Sequence, residues 1–117
     1  MAAPNIVNVA TITGKTAGLA VTASASAIVA NASSSNKVLK INALYVSNVA
    51  ASNGWVTVDV FKNATTAFRV GFQITVPTNA TLDVLSKPIY LEENDSLRLT
   101  ANAVSTIEAV VSYEDIS

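Results

Sequence analysis

Only a few groupings in this chain have residue types that could do chemistry. Asp59 and Asp83 would suit glycoside hydrolysis if they faced one another across a cleft, although a chain with eight acids offers many such pairs. Glu92, Glu93 and Asp95, with Asn94 among them, are the densest set of side-chain oxygens and resemble calcium donors in type. A calcium ion wants six or more converging oxygens, which adjacent residues cannot supply, so the segment reads as a turn in solvent. Thr13-Gly14-Lys15-Thr16 has the ending of a phosphate-binding loop, but position 9, where the loop needs a second Gly, is Val9. Without that Gly the backbone N–H groups cannot curl round a phosphate, and an ordinary Gly turn is expected.

The chain contains no histidine and no cysteine. Their absence removes the usual general base near neutral pH, the commonest transition-metal ligand and the thiol nucleophile. It leaves the redox compartment open. No catalytic residue, cofactor or metal is expected, and the protein reads as a non-enzyme. Seven basic and eight acidic side chains give a net charge of −1. The basic ones are scattered, so the positive stripe of a nucleic-acid footprint is missing. Thr16 to Asn36 carries no charge and is long enough to span a membrane, but it is rich in Ser, Thr and Asn and would insert poorly. The N-terminus lacks the basic flank and apolar block of a secretory signal, which points to a cytoplasmic product.

Two further groups could recognise ligands. Trp55, Tyr45, Tyr90, Tyr113 and the three Phe residues could form a stacking platform for sugars. Phe68 and Phe72 fall on an alternating apolar face, however, which favours the core as their place. Asn31, Asn63, Asn79 and Asn94 each begin an Asn-X-Ser/Thr sequence, and these are read as turn chemistry.

The elements that must position these residues are strands. Half the residues are apolar, with Ala (19) and Val (16) foremost, and β-branched side chains fit a pleated surface better than a helix. Alternation places strands over Val38–Asn48, Trp55–Phe61 and Ala67–Val76, then at Leu82 and Val84, Ile89 and Leu91, Leu97 to Thr100, and Ile107 to Glu114. Asn53-Gly54 offers a tight turn before the second of these, and Pro77-Thr78-Asn79 another before the fourth, which is expected to pair with the strand ahead of it. The fold is expected to be all-β, a single jelly-roll-like β-sandwich of about 8–9 strands.

The first 36 residues hold one charge, Lys15, while the other fourteen lie between 37 and 117. Ile6 to Ile12 and Leu19 to Thr22 could be strands separated by a flexible Gly14–Gly18 segment, with an Ala/Ser-rich stretch following. So uncharged a segment must lie against something. It is either a pair of edge strands on the domain's own sheet or an N-terminal arm laid on a neighbour, with 37–117 as the sandwich core. Its larger apolar residues, Ile6, Val7, Val9, Ile12, Leu19, Val21, Ile28 and Val29, are the candidate partner-binding residues. Removing residues 1–36 is expected to leave a folded core.

Four segments carry a family resemblance: Tyr45-Val46-Ser47-Asn48, Val76-Pro77-Thr78-Asn79-Ala80-Thr81-Leu82, Ile89-Tyr90-Leu91-Glu92-Glu93-Asn94-Asp95-Ser96-Leu97, and Val111-Ser112-Tyr113-Glu114-Asp115-Ile116. In order and content they resemble small virion structural proteins of tailed bacteriophages, of the marine cyanophage type, over about two thirds of the chain. Asn94 stands where that family more often has Gly, and Asn tolerates the left-handed backbone a Gly would adopt. The resemblance implies a β-sandwich present in many copies in a virion, made in the host cytoplasm. It implies capsid decoration first, with the major capsid protein or other virion proteins as partners, no nucleic acid and no membrane. A homo-oligomer, with a trimer favoured, fits the same picture. A tail, neck or fibre component is the alternative within that class, and a carbohydrate-binding module the alternative outside it.

Overall fold

The computed structural model describes residues 11–117. Nine strands follow one another: β1 (Ile12–Val21), β2 (Ser26–Ala30), β3 (Val38–Asn48), β4 (Gly54–Lys62), β5 (Thr66–Val76), β6 (Thr81–Asp83), β7 (Ile89–Leu91), β8 (Ser96–Ala101) and β9 (Ile107–Ile116). The first sheet has the order β1-β9-β3-β6, with β7 also on β3, and the second has the order β2-β8-β4-β5. Every pairing is antiparallel. β6 lies against Tyr45–Ser47 and β7 against Leu39–Ile41, so together they act as one strand broken near Pro88. Proline cannot donate to a ladder, which accounts for the break. Counted that way, eight strands form two four-stranded sheets. The chain changes sheet at each connection except the β4–β5 hairpin and the β6–β7 break. That is a jelly roll.

The core is the contact between the two inner faces. Ile41, Leu44 and Val46 from β3 and Val111 from β9 meet Val56 and Val58 from β4 and Leu97 and Leu99 from β8, all fully buried. Each such side chain contributes about 1.5–3 kcal/mol of transfer free energy. Inward residues alternate with outward ones, as in β9, where Ile107, Ala109 and Val111 are buried and Glu108 and Val110 exposed.

The N-terminal region differs in detail from expectation. Gly14–Gly18 is not a flexible separator, because β1 runs unbroken from Ile12 to Val21 opposite Ile116–Ile107. A ten-residue ladder with β9 outweighs the local turn preference of two glycines. The Ala/Ser-rich stretch contains β2, which pairs with β8 across a bulge at Ala27/Val29. Val21 and Val29 belong to the core, so they are not free to hold a partner, and a cut at residue 36 would remove two core side chains and two sheet edges. Ile6, Val7, Val9 and most of the strand expected over Ile6–Ile12 lie outside the described residues.

Of three expectations about the remaining connections, two are corrected. Asn53-Gly54 does end a loop before β4, but that loop joins strands in different sheets and so does not close a hairpin. Gly54 is required for another reason: a Cβ there would sit 2.6 Å from Asn102 Oδ1, which accepts the Trp55 backbone N–H. β6 does not pair with β5; it crosses to the other sheet and joins β3. Along β5, register shifts opposite Val56–Asp59 break the even alternation, so Phe68, Val70 and Phe72 do not make one buried face.

Candidate functional site

Three of the four segments singled out in the sequence, those ending in Asn48, Leu97 and Ile116, each hold a buried polar clamp. In Leu91–Leu97, Asn94 adopts a φ of 74°, the left-handed conformation that Asn or Gly permits. Asp95 is then turned inward, and its side chain is only 2% exposed, so this turn is not simply solvated. One carboxylate oxygen accepts the Asn63 N–H at 2.8 Å, and the other accepts Lys62 Nζ at 2.8 Å and the Glu92 N–H at 3.0 Å. Burial pushes the Asp95 carboxyl up, but these hydrogen bonds together with the Lys62 charge hold it below the usual carboxylate range. Asn48, at the end of Tyr45–Asn48, donates to Val76 O at 2.8 Å and accepts from the Ala50 N–H at 2.8 Å, which fixes the loop into β4 and the exit of β5.

Asp115, in the last segment, does the same for the N-terminal strand. Its Oδ2 accepts Lys15 Nζ from β1 and Lys37 Nζ from the approach to β3, each at 3.1 Å. Burial raises this carboxyl, and the two lysines overcome that and lower it. Lys15 is raised in turn, by its hydrogen bond to Asp115 first and by that carboxylate's charge second. The lysine of Thr13-Gly14-Lys15-Thr16 is therefore a strut within a strand and not part of a phosphate loop.

No reactive pair is assembled. Asp59 is buried on the second sheet with its Oδ1 2.8 Å from Arg98 Nε, whereas Asp83 is exposed on β6 in the first sheet and accepts the Leu85 N–H. Among the described residues no three acidic side chains are grouped to hold a metal ion, and no helix is long and apolar enough to cross a membrane. Asn63 and Asn79 have φ of 53° and 61°, so with Asn94 three of the four Asn-X-Ser/Thr sequences are left-handed turns. The fourth, Asn31, is buried and donates its amide to Lys37 O at 2.9 Å and Leu91 O at 3.0 Å.

The edges of the two sheets are β1 and β6–β7 in the first and β2 and β5 in the second, and two of them are long enough to offer an extended surface. β1 is one, and it carries Ile12, exposed, and Leu19, half-buried against the core; Ile28 on β2 is half-buried there too. Gly14 and Gly18 are unexplained by the fold itself. Neither has a left-handed φ; a Cβ on Gly14 would meet nothing within 4 Å, and one on Gly18 only Ala109 O at 3.7 Å. The register sets Gly18 beside Val110 and Val110 beside Tyr45, both largely exposed, so a smooth outer face continues inward from the edge. Gly inside a strand costs about 0.5–1 kcal/mol relative to Ala, and one that its own domain does not need marks a place where another backbone can come close. Sequence reasoning missed Gly14 and Gly18 because it took them for a turn; the lone charge in the segment was the available signal.

β5 is the other edge, and it differs in kind. Phe68 and Phe72 are each 60% exposed, contrary to the core role expected of them. Both stand on an edge strand, Phe68 opposite Val60 and Phe72 on the other face beside the bulge, and no described residue buries either ring. On the outer face of this sheet, Trp55, Thr57 and Asp59 of β4, Arg69, Phe72 and Gln73 of β5, and Arg98 and Thr100 of β8 surround a cleft of about 210 Å³. The Arg69 guanidinium lies 4.7 Å from the Phe72 ring centre, and that of Arg98 lies 3.9 Å from Phe61.

No protein-family model matches the chain, and no curated protein does either. A solved structure does match: a protein of Bacillus endospore appendages, described as forming "a novel family of disulfide-linked pili". It aligns with a TM-score of 0.55 at 16% identity, over 92% of this chain and 88% of that one. At that identity the likeness is one of fold, and it shows a second all-β chain with this arrangement of strands over nearly its whole length.

Proposed function

We propose that the chain is a non-enzymatic structural protein that joins other protein subunits, and more finely that it is a capsid decoration protein of a tailed bacteriophage, bound to the major capsid protein of the head shell. The observation that carries the reading is the β1 edge: ten residues of regular strand with a single charge, and two glycines that its own fold does not require. A regular edge that no described strand covers is a template for strand addition, and bare glycines let a partner's backbone lie close beside it. The likeness to an appendage subunit supports the coarser half of the reading, as a fold of this kind builds pili in that protein. This chain contains no cysteine, so its own contacts would not be disulfides. The resemblance to cyanophage virion proteins supports the finer half. On a shell, many symmetric copies multiply a modest contact, so no single edge must bind tightly.

Lys at positions 14 and 18 tests the reading, because both sites accept a side chain without displacing a neighbour. The Gly14→Lys, Gly18→Lys double variant is expected to keep its far-ultraviolet β spectrum and to lose co-sedimentation with shells. Undiminished binding would remove β1 from the mechanism. Copy number in a purified particle then separates a shell protein from a neck, tail or fibre component, and mass photometry of the free protein checks for the trimer.

A further inference from the structure

The cleft on the outer face of the second sheet shares no residue with the β1 edge. We infer that it is a binding site for an acidic saccharide, a sugar ring bearing a carboxylate. The proposal goes beyond the assembly reading and uses the opposite sheet.

Several independent features converge there. Cross-strand register places Arg98, Asp59 and Arg69 side by side on β8, β4 and β5. The single carboxylate is taken by Arg98 at 2.8 Å, and Arg98 is also packed over Phe61, so that pair forms a fixed floor. Arg69 is left with no ion-pair partner among the described residues and rests on the Phe72 ring. The cleft therefore carries one uncompensated guanidinium, whose planar fork suits a carboxylate.

The walls are amphipathic. Trp55 is half-buried and Phe72 mostly exposed, and both line the cleft, where aromatic surface can take the C–H face of a pyranose. Gln73 and Thr100 line the same cleft and can serve sugar hydroxyls. Gln73 has a φ of 47°, a left-handed conformation uncommon for a residue with a side chain, and its N–H is held by Thr57 Oγ1 at 3.0 Å. Strain of this kind within a bulge re-aims side chains, and here it turns Phe72 and Gln73 into the cleft. A volume of about 210 Å³ falls below the ~300–1,000 Å³ of drug-sized pockets and leaves room for one ring at a time.

The test is an amide and indole NMR titration of the full chain with trigalacturonate, against neutral maltotriose. The acidic sugar is expected to move the Trp55 indole and the Gln73 and Thr100 amides, with the neutral one at least about tenfold weaker, a difference of ~1.4 kcal/mol. Arg69→Gln should erase the difference between the two sugars, and Trp55→Ala should abolish both responses while the rest of the spectrum stays native. The Gly14→Lys, Gly18→Lys double variant should bind trigalacturonate as the parent does, which separates this site from failure of the assembly reading. Shifts confined to another surface, equal response to both sugars, or no response would each overturn the proposal. So would sugar-independent broadening of these same resonances with protein concentration, which would assign the face to contacts between subunits.

Discussion

β1 and β5 are both long edge strands of one jelly roll, yet they treat the exposed edge in opposite ways. β1 is regular, nearly uncharged and bare at Gly14 and Gly18, while β5 is bulged, carries Arg69 and bristles with Phe68 and Phe72. Bulges and charge discourage edge-to-edge pairing, and a flat edge invites it. One fold thus separates two kinds of surface: a strand that offers backbone and a face that offers side chains. Each edge also has its own buried carboxylate, Asp115 tying β1 through Lys15, and Asp95 tying the β4–β5 hairpin through Lys62 and Asn63.

The largest effect is expected at the second of these ties. Asp95→Ala removes a buried acceptor of three hydrogen bonds and leaves two backbone N–H groups unpaired, which should cost about 3 kcal/mol in urea denaturation. Asp115→Ala should cost less, about 1 kcal/mol, because its lysines are largely exposed and solvent screens the pair. Both carboxyls are lowered in the folded state, so the unfolded chain binds more protons in acid. Their contribution is complete above the ordinary carboxylate pKa and fades as pH falls below about 4. Thermal melts should show this loss in the parent and a flatter acid limb in Asp95→Ala; parallel limbs would remove Asp95 as its source.

The glycines sharpen the contrast with smaller changes of opposite sign. At Gly71 on β5 the Ile74 side chain fills the place of a Cβ, so Gly71→Ala should destabilise by about 1 kcal/mol as Ile74 is displaced. At Gly18 on β1 the space is open, so Gly18→Ala should stabilise the isolated domain by about 0.5–1 kcal/mol. The same change should weaken attachment through that edge. A Gly18→Ala protein less stable than its parent would mean that the fold itself requires the glycine.

Strand existence was legible where pairing partners matched the local pattern. Val38–Asn48 was anticipated with its observed ends, and β4, β8 and β9 to within a few residues, because an inward face repeating every second residue is a local property of the chain. The turn role of Asn63, Asn79 and Asn94 was legible too, since left-handed backbone selects few residue types. β1 was not, because its continuity through two glycines comes from β9, which follows nearly ninety residues later.

The amino-acid sequence alone determined the all-β class, the absence of histidine and cysteine chemistry, and the turns at Asn63, Asn79 and Asn94, since composition, two-residue periodicity and local backbone preference belong to the chain before it folds. Tertiary structure alone decided which strands became edges, that Asp95 and Asp115 turn inward as clamps, and that Phe68 and Phe72 stay exposed. Those outcomes depend on register and bulges between distant strands, and a slip of one residue in register exchanges the two faces of a sheet.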